Sequence, residues 1–515
     1  MNVKELLIKQ AESFPSKPAI TFNEKKITFS QTKDFSFKLA NYFLNSGVKK
    51  GDKIAIFLPN TPEAIFTFLA GFSIGGVLVP LDFMLTENEV INFINHSQAK
   101  ILVTQIKKEI DLEKINEQCP TLKKIIIQGT GYRAESIEQK AEGMEESFSF
   151  WSKAVEETSS QVPSVEIDGS DPSAIFYTSG STGHPKGVEF TYKHFDNSPK
   201  VINHFLRVCE KDIFLCGGVP FSHVGGFGYI LLLLEFGSGL VLMERFHPLE
   251  FLKNIQRHKV TIFCIVPAMY VAILSLKVYD KFDLSSLRVA VVFGAPSAPS
   301  LLKRFHQACP DAQVLNGWGM TETAAPNTFS PLDENKIDSI GKFTLDMEVK
   351  IVDEEGNNLG PEAEGELQVR GEAVMSGYYK EPQLTKEVLT EDGWLKTGDI
   401  AKFDSNGLYY LVGRKKDMIK VAGEIVFSCE VEEKIHRHPK IKEAAVVGVP
   451  DSLRGEVPKA FIVLEEEAVL FEQELRDFLK QHLAHFKIPH HFEFVKELPK
   501  TRTGKVDKMK LIDSP

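Results

Sequence analysis

The chain has no C-x-x-C cysteine pair. Its six cysteines, Cys119, Cys209, Cys216, Cys264, Cys309 and Cys429, are scattered over 515 residues. That spacing offers neither a zinc pattern nor a disulfide framework, and it points to reduced thiols in a cytoplasmic protein. Positive charge is not in surplus either. A formal net charge of −10 argues against a nucleic-acid binder, whose phosphate contacts need a basic face, although a few local Lys and Arg can still hold a small acidic substrate. Long apolar runs are missing too. The most apolar stretch, Tyr229 to Leu234, ends at Glu235, far short of the roughly 20 residues that span a bilayer. The first ten residues, Met1 to Gln10, are charged throughout and lack the core of a signal peptide. Neither an internal repeat nor a low-complexity tract is found.

What remains is the profile of a globular protein, 43% hydrophobic and 25% charged. At this length two or more domains are expected. Lys53 to Pro59, Gly76 to Leu81 and Lys100 to Thr104 are short apolar runs. Between them lie helical spacings that begin near Thr61 and after Thr86, where Thr86-Glu87-Asn88-Glu89 has the form of a capping box. This alternation predicts βαβ units. It resumes with strands predicted over Asp212–Leu215, Gly239–Met243, Val260–Val266 and Leu287–Phe293, and helices opening at Pro248 and Pro299. After Gly341 the texture changes to alternating runs with recurrent glycine, which predicts a β-rich subdomain. The fold class is therefore α/β: a large N-terminal domain of mostly parallel sheets flanked by helices, with that β-rich subdomain, and then a small, mobile α+β C-terminal domain. The charged stretch Arg414-Lys415-Lys416-Asp417 sets the boundary, giving 1–413 and 414–515.

The strand-like run Ala174 to Tyr177 leads into Thr178-Ser179-Gly180-Ser181-Thr182-Gly183-His184-Pro185-Lys186-Gly187. Glycines let backbone N–H groups approach a ligand, hydroxyls donate hydrogen bonds, and Lys186 adds a positive charge. Together they suit a nucleotide polyphosphate, although the order differs from the common G-x-x-x-x-G-K-[ST] loop. The stretch resembles the phosphate loop of the adenylate-forming superfamily: acyl-CoA synthetases, luciferases and peptide-synthetase adenylation domains.

Four further segments resemble the same superfamily in the same order. Pro220-Phe221-Ser222-His223 is similar to its acyl-pocket segment. There the resemblance implies acyl contacts from His223, Gly225, Gly226, Phe227 and the neighbourhood of Phe293, with His223 near the chemistry. Amino-acid-activating relatives usually place an aspartate close to this segment. Ser222, His223 and Val224 stand here instead, which favours a plain carboxylic acid. Asn316-Gly317-Trp318-Gly319-Met320-Thr321-Glu322 resembles the Y-G-x-T-E segment, with Trp318 replacing the usual Tyr. The resemblance implies that Trp318 stacks on adenine, Thr321 bonds the α-phosphate and Glu322 holds Mg²⁺. It also implies that Gly294-Ala295-Pro296 flanks the adenine. Thr397-Gly398-Asp399 and Gly413-Arg414 resemble the ribose-binding pair. Pro499 to Lys505 resembles the P-x-x-x-x-G-K motif, which makes Lys505 the catalytic lysine.

The likeness covers essentially the whole chain and is nearest to fatty-acid or aryl-acid CoA ligases. It implies an ATP-dependent acid–thiol ligase that uses ATP, Mg²⁺ and coenzyme A and passes through acyl-AMP. A medium- or long-chain fatty acid is the expected substrate. Lys416 takes the hinge position, and Gly423 and Glu424 fall in the segment that meets CoA in relatives. An acyl carrier protein as acceptor, an aryl acid, a homodimer and a non-catalytic relative stay open at this point. Three positions depart from the pattern: Asp82 for the frequent Asn, Ser428 for the usual Pro, and Lys508 for the frequent Arg.

Overall fold

The computed structural model describes residues 2–128, 147–178, 186–294, 299–331, 339–344, 346–501 and 506–512. The chain divides into two compact units. One comprises Met1–Phe263, Gly319–Asn327 and Glu372–Glu387; the other comprises Cys264–Trp318, Thr328–Gly371 and Val388–Pro515.

In the first unit the βαβ reading holds. Lys53–Phe57 pairs in parallel with Val77–Pro80 on one side and Ile101–Gln105 on the other. Pro62–Ser73 is the crossover helix, capped by the Thr61 side chain with Pro62 in its first turn. The Thr86 box also forms: the Glu89 carboxylate accepts the Thr86 N–H at 2.8 Å. This parallel sheet continues through Lys124–Gln128 to Phe148–Phe150, and from Val77–Pro80 to Pro172–Thr178. There its direction changes. Lys186–Thr191 runs antiparallel to Pro172–Thr178, and Gly377–Tyr378 runs antiparallel to Lys186–Thr191. The core on one side of the sheet is a contiguous apolar cluster that includes Phe57, Val79, Leu102, Ile127 and Ile175. A second group of strands in this unit, Ile213–Cys216, Gly239–Leu242 and Pro18–Phe22, is parallel and is closed by the antiparallel Lys25–Thr28.

In the second unit, Val289–Val292 and Gln313–Trp318 form a parallel pair. The pairing then becomes antiparallel from Thr328 onward, and the strands after Gly341 form the β-rich region that the glycine-rich composition predicted. Thr328–Pro331, Ser339–Phe343, Tyr409–Arg414, Leu395–Phe403, Gly365–Gly371 and Met347–Val352 follow in spatial order. The last hundred residues make a separate sheet, ordered Glu424–Phe427, Met418–Val421, Gly455–Leu464 and Ile441–Asp451, with His491–Phe494 parallel to Gly455–Leu464. Its core is its own: Val421, Val446, Ile462, Leu475 and Leu479 are buried together beneath the helices Ser428–His436 and Glu472–Lys480. No helix among the described residues is long and apolar enough to cross a membrane.

Candidate active site

In the first unit, backbone pairing brings the phosphate-loop lysine to the acidic turn. Thr178 and Lys186 are cross-strand partners, so the two ends of the predicted loop meet at the end of one strand pair. The strand that begins at Lys186 pairs with Gly377–Tyr378, and Tyr379 N–H donates to the Gly187 carbonyl at 2.7 Å. The Lys186 ammonium then stands 5.1 Å from the centre of the Tyr378 ring. The Tyr378 hydroxyl donates to Glu322 Oε1 at 2.9 Å. A backbone bond backs the contact, since Met375 N–H donates to the Glu322 carbonyl at 2.9 Å. Burial, and the Glu322 carboxylate beside it, push the Tyr378 phenol well above its ordinary pKa, so it is a hydrogen-bond donor at neutral pH. Thr321 and Glu322 lie on a short 3₁₀ turn, Thr321–Thr323. That turn is pinned by Thr323, whose hydroxyl donates to Asn327 Oδ1 at 2.5 Å. Gly319 is required by packing: a Cβ there would lie 2.7 Å from Ala325 Cβ.

This arrangement places a cation and a carboxylate on either side of one tyrosine. Among the described residues no group of three or more His, Cys, Asp or Glu could hold a metal ion alone. One carboxylate fits Mg²⁺ nonetheless, because that ion commonly binds through one or two carboxylates plus substrate phosphates.

The acyl segment lies in the same unit. His223 caps the helix Val224–Phe236 from its extended backbone, and its carbonyl accepts the Phe227 N–H at 2.9 Å. The two predicted pocket residues that follow serve packing. A Cβ on Gly226 would stand 2.0 Å from the Pro220 carbonyl oxygen, so glycine is what lets the helix approach that backbone. Phe227 is fully enclosed by the rings of Phe68, Phe72, Phe176 and Phe195. Gly225 precedes them on the same first turn.

In the second unit, Phe293 and Gly294 follow the end of Val289–Val292, and Asn316, Gly317 and Trp318 end the neighbouring parallel strand. Carboxyl ends of adjacent parallel strands are where open α/β sheets bind ligands. Gly294 has φ +89°, a conformation that favours glycine. The Asn316 side chain donates to the Ser339 carbonyl at 3.3 Å. Trp318 is 5% exposed, and its ring stands edge-on to Phe343. Its indole N–H donates to Asp399 Oδ2 at 2.8 Å, a bond the sequence did not announce. The other oxygen of Asp399 pairs with Arg414 Nε at 2.7 Å, a contact set by cross-strand register. Asp399 is itself buried.

Beyond Arg414 the 3₁₀ turn Lys415–Asp417 is all that separates Tyr409–Arg414 from Met418–Val421 in the next sheet, and Lys416 is its exposed middle residue. Gly423 and Glu424 lie at the exposed tip of a hairpin whose two-residue turn has φ +50° at Ala422 and +95° at Gly423. Two departures from the family pattern touch. Lys508 Nζ donates to Ser428 Oγ at 2.7 Å and pairs with Glu432 at 2.7 Å. Burial alone would lower the Lys508 pKa, but Glu432, with Asp417 adding to it, more than offsets that and raises it. The third departure, Asp82, caps its own loop by accepting the Met84 N–H at 2.8 Å.

Ser179, Gly180, Ser181, Thr182, Gly183, Ala295, Pro296 and Lys505 lie outside the described residues. Tyr378 was not foreseen. It stands within a run read only as strand-and-turn composition, and a lone aromatic there carries no chemical signal; only the pairing with Lys186–Thr191 reveals it.

The AMP-binding enzyme family profile matches residues 7–379, and that of the AMP-binding enzyme C-terminal domain matches residues 430–505. The chain is 32% identical to a long-chain-fatty-acid–CoA ligase of Bacillus subtilis (strain 168), across 99% of this chain and 94% of that protein. It is 33% identical to 4-coumarate–CoA ligase 2 of Nicotiana tabacum, across 96% of this chain and 90% of that one. Among solved structures, the anthranilate CoA ligase AuaEII in complex with anthranoyl-AMP superposes with a TM-score of 0.90 at 26% identity, covering 99% of this chain and 96% of that chain. With two profiles in the expected order and relatives matched end to end, the chain belongs to the AMP-binding enzyme family, as an AMP-forming acid–thiol ligase.

Proposed function

We propose that the chain joins a medium- or long-chain fatty acid to coenzyme A through an acyl-adenylate. The observation that carries the reaction is the array of Lys186, Tyr378 and Glu322, which sets a phosphate-binding cation beside a held carboxylate. In the first half-reaction a carboxylate oxygen of the acid attacks the α-phosphorus of ATP, and pyrophosphate leaves. Lys186 meets the polyphosphate, Thr321 the α-phosphate, and Asp399 with Arg414 the ribose. Bound Mg²⁺, held by Glu322, would neutralise phosphate charge. Lys505 offsets the charge that builds between carboxylate and α-phosphate. In the second half-reaction a thiolate attacks the acyl carbonyl and AMP leaves. Residues 414–515 move about Lys416 between the two steps, withdrawing Lys505 and bringing in the Gly423–Glu424 hairpin; the three-residue connection supports this reading.

For the acid, the Bacillus relative and the absence of a carboxylate in the Ser222–Phe227 segment support an apolar chain without an amine. The tobacco relative favours a second reading, an aryl acid. A carrier protein's phosphopantetheine thiol is the alternative acceptor. Pyrophosphate release over acetate, octanoate, palmitate, benzoate and 4-coumarate, each with and without CoA, tests all three. CoA-dependent turnover that peaks at octanoate or palmitate is expected. A peak at 4-coumarate would replace the fatty acid, and release that CoA does not accelerate would replace the acceptor.

A further inference from the structure

We infer that Trp318, through its indole N–H, is a positioning residue that fixes the Asp399 carboxylate as the acceptor for both ribose hydroxyls. The inference rests on the reading of Asp399 as the ribose-binding residue and adds to it a residue that no relative's name supplies.

An aspartate carboxylate turns easily about its last bond, because terminal torsions of this kind have broad wells. Here it is held at both ends. Trp318 Nε1 donates to Oδ2 at 2.8 Å, and the Arg414 guanidinium forms an ion pair with Oδ1, Nε to Oδ1 2.7 Å. An ionised carboxylate offers about four lone-pair sites, two on each oxygen. Trp318 takes one site on Oδ2, Arg414 anchors Oδ1 by charge, and each oxygen keeps an acceptor site. Two free acceptors on two oxygens of a fixed plane match two vicinal hydroxyls. A carboxylate held by one donor alone could turn out of that plane and meet one hydroxyl at a time.

The donor is itself locked. Trp318 packs edge-on to Phe343 with centroids 5.4 Å apart, and Phe343 packs at 88° to Tyr409. The Trp318 backbone N–H donates to Thr328 Oγ1 at 3.2 Å. Asp399 is fixed from the other side as well: its N–H donates to Thr397 Oγ1 at 3.1 Å, and that hydroxyl donates to the Leu367 carbonyl at 2.7 Å. Neither Tyr, the residue usual in relatives, nor Phe carries a ring N–H at this place. The bond to Oδ2 thus belongs to the tryptophan of this chain.

The test uses the full chain and compares kcat/KM for ATP, 2′-deoxy-ATP and 3′-deoxy-ATP in pyrophosphate release. Trp318→Phe removes the donor and keeps an aromatic ring. It should lower kcat/KM for ATP about tenfold and change the deoxy nucleotides much less, so that the preference for ATP narrows about tenfold. Trp318→Tyr should narrow it equally, and it carries the test if the Phe variant does not fold. Trp318→His, which keeps a ring N–H, should recover part of the preference. An unchanged ratio would reduce Trp318 to packing. A widened ratio would mean that its N–H competes with the hydroxyls; either result overturns the inference. Asp399→Asn separates the two layers. If it leaves the ATP preference intact, the ribose reading of Asp399 fails, whatever the Trp318 variants do.

Discussion

Tyr378→Phe isolates one hydroxyl. The variant keeps the ring against which Lys186 stands at 5.1 Å, so the contact between cation and aromatic face survives. Only the bond to Glu322 Oε1 at 2.9 Å is lost. A hydrogen bond to a charged group contributes about 1.5–3 kcal/mol, which corresponds to roughly 10- to 100-fold in rate. Glu322 is only half-buried, so water can replace part of the bond and the lower end applies, about tenfold. If Glu322 holds Mg²⁺, the loss should fall on adenylation, measured as pyrophosphate release. Raising the Mg²⁺ concentration should recover part of it. Thioester formation from supplied acyl-AMP should stay near the parent rate. An equal loss in both half-reactions, or a loss that Mg²⁺ does not ease, would refute the reasoning and leave Tyr378 as a packing residue.

Other outcomes follow from single features. Lys505→Ala should abolish adenylation and spare thioester formation from acyl-AMP, both followed by product chromatography. Gly226→Ala should lower the thermal midpoint, because its Cβ would meet the Pro220 carbonyl at 2.0 Å and overpacking of this kind costs about 1–3 kcal/mol. Burial pushes the thiols of Cys216, Cys309 and Cys429 up to about 12, so at pH 8 they stay protonated. Iodoacetamide should then label the exposed Cys209 first and those three only after unfolding, as read by peptide mass spectrometry.

Much of this architecture was legible because it rests on local rules. The Thr61 and Thr86 caps, the proline-led helices at Pro248 and Pro299, and the apolar runs of residues 53–104 each declare an element within about ten residues. The β-rich character of the chain after Gly341 was legible through glycine recurrence. What stayed hidden depends on register between distant strands. Tyr378 reaches Glu322 only because Gly377–Tyr378 pairs with a strand almost two hundred residues earlier. Trp318 read only as a stacking surface, because its family segment implies one; its bond to Asp399 had no local signal. The aromatic packing of Phe343 and Tyr409, which turns it edge-on, is set by strands more than twenty residues away. The enclosure of Phe227 was hidden for a similar reason, since four rings from separate segments converge on it.

The contact between Lys508 and Ser428 bears on how this chain can be recombined with its relatives. Both residues differ from those usual at their positions, and each supplies what the other needs: an ammonium and a hydroxyl 2.7 Å apart, with Glu432 on the same helix as Ser428. A crossover placed between the two would join Lys508 to a proline that accepts no side-chain hydrogen bond, or a guanidinium to a serine site shaped for a single nitrogen. Residues in contact do not contribute additively, so each mismatched half should be worse than either parent arrangement. Splice points ahead of residue 428 keep the matched pair in one piece, which gives designers of hybrid ligases a boundary chosen by chemistry rather than by where sequence similarity fades.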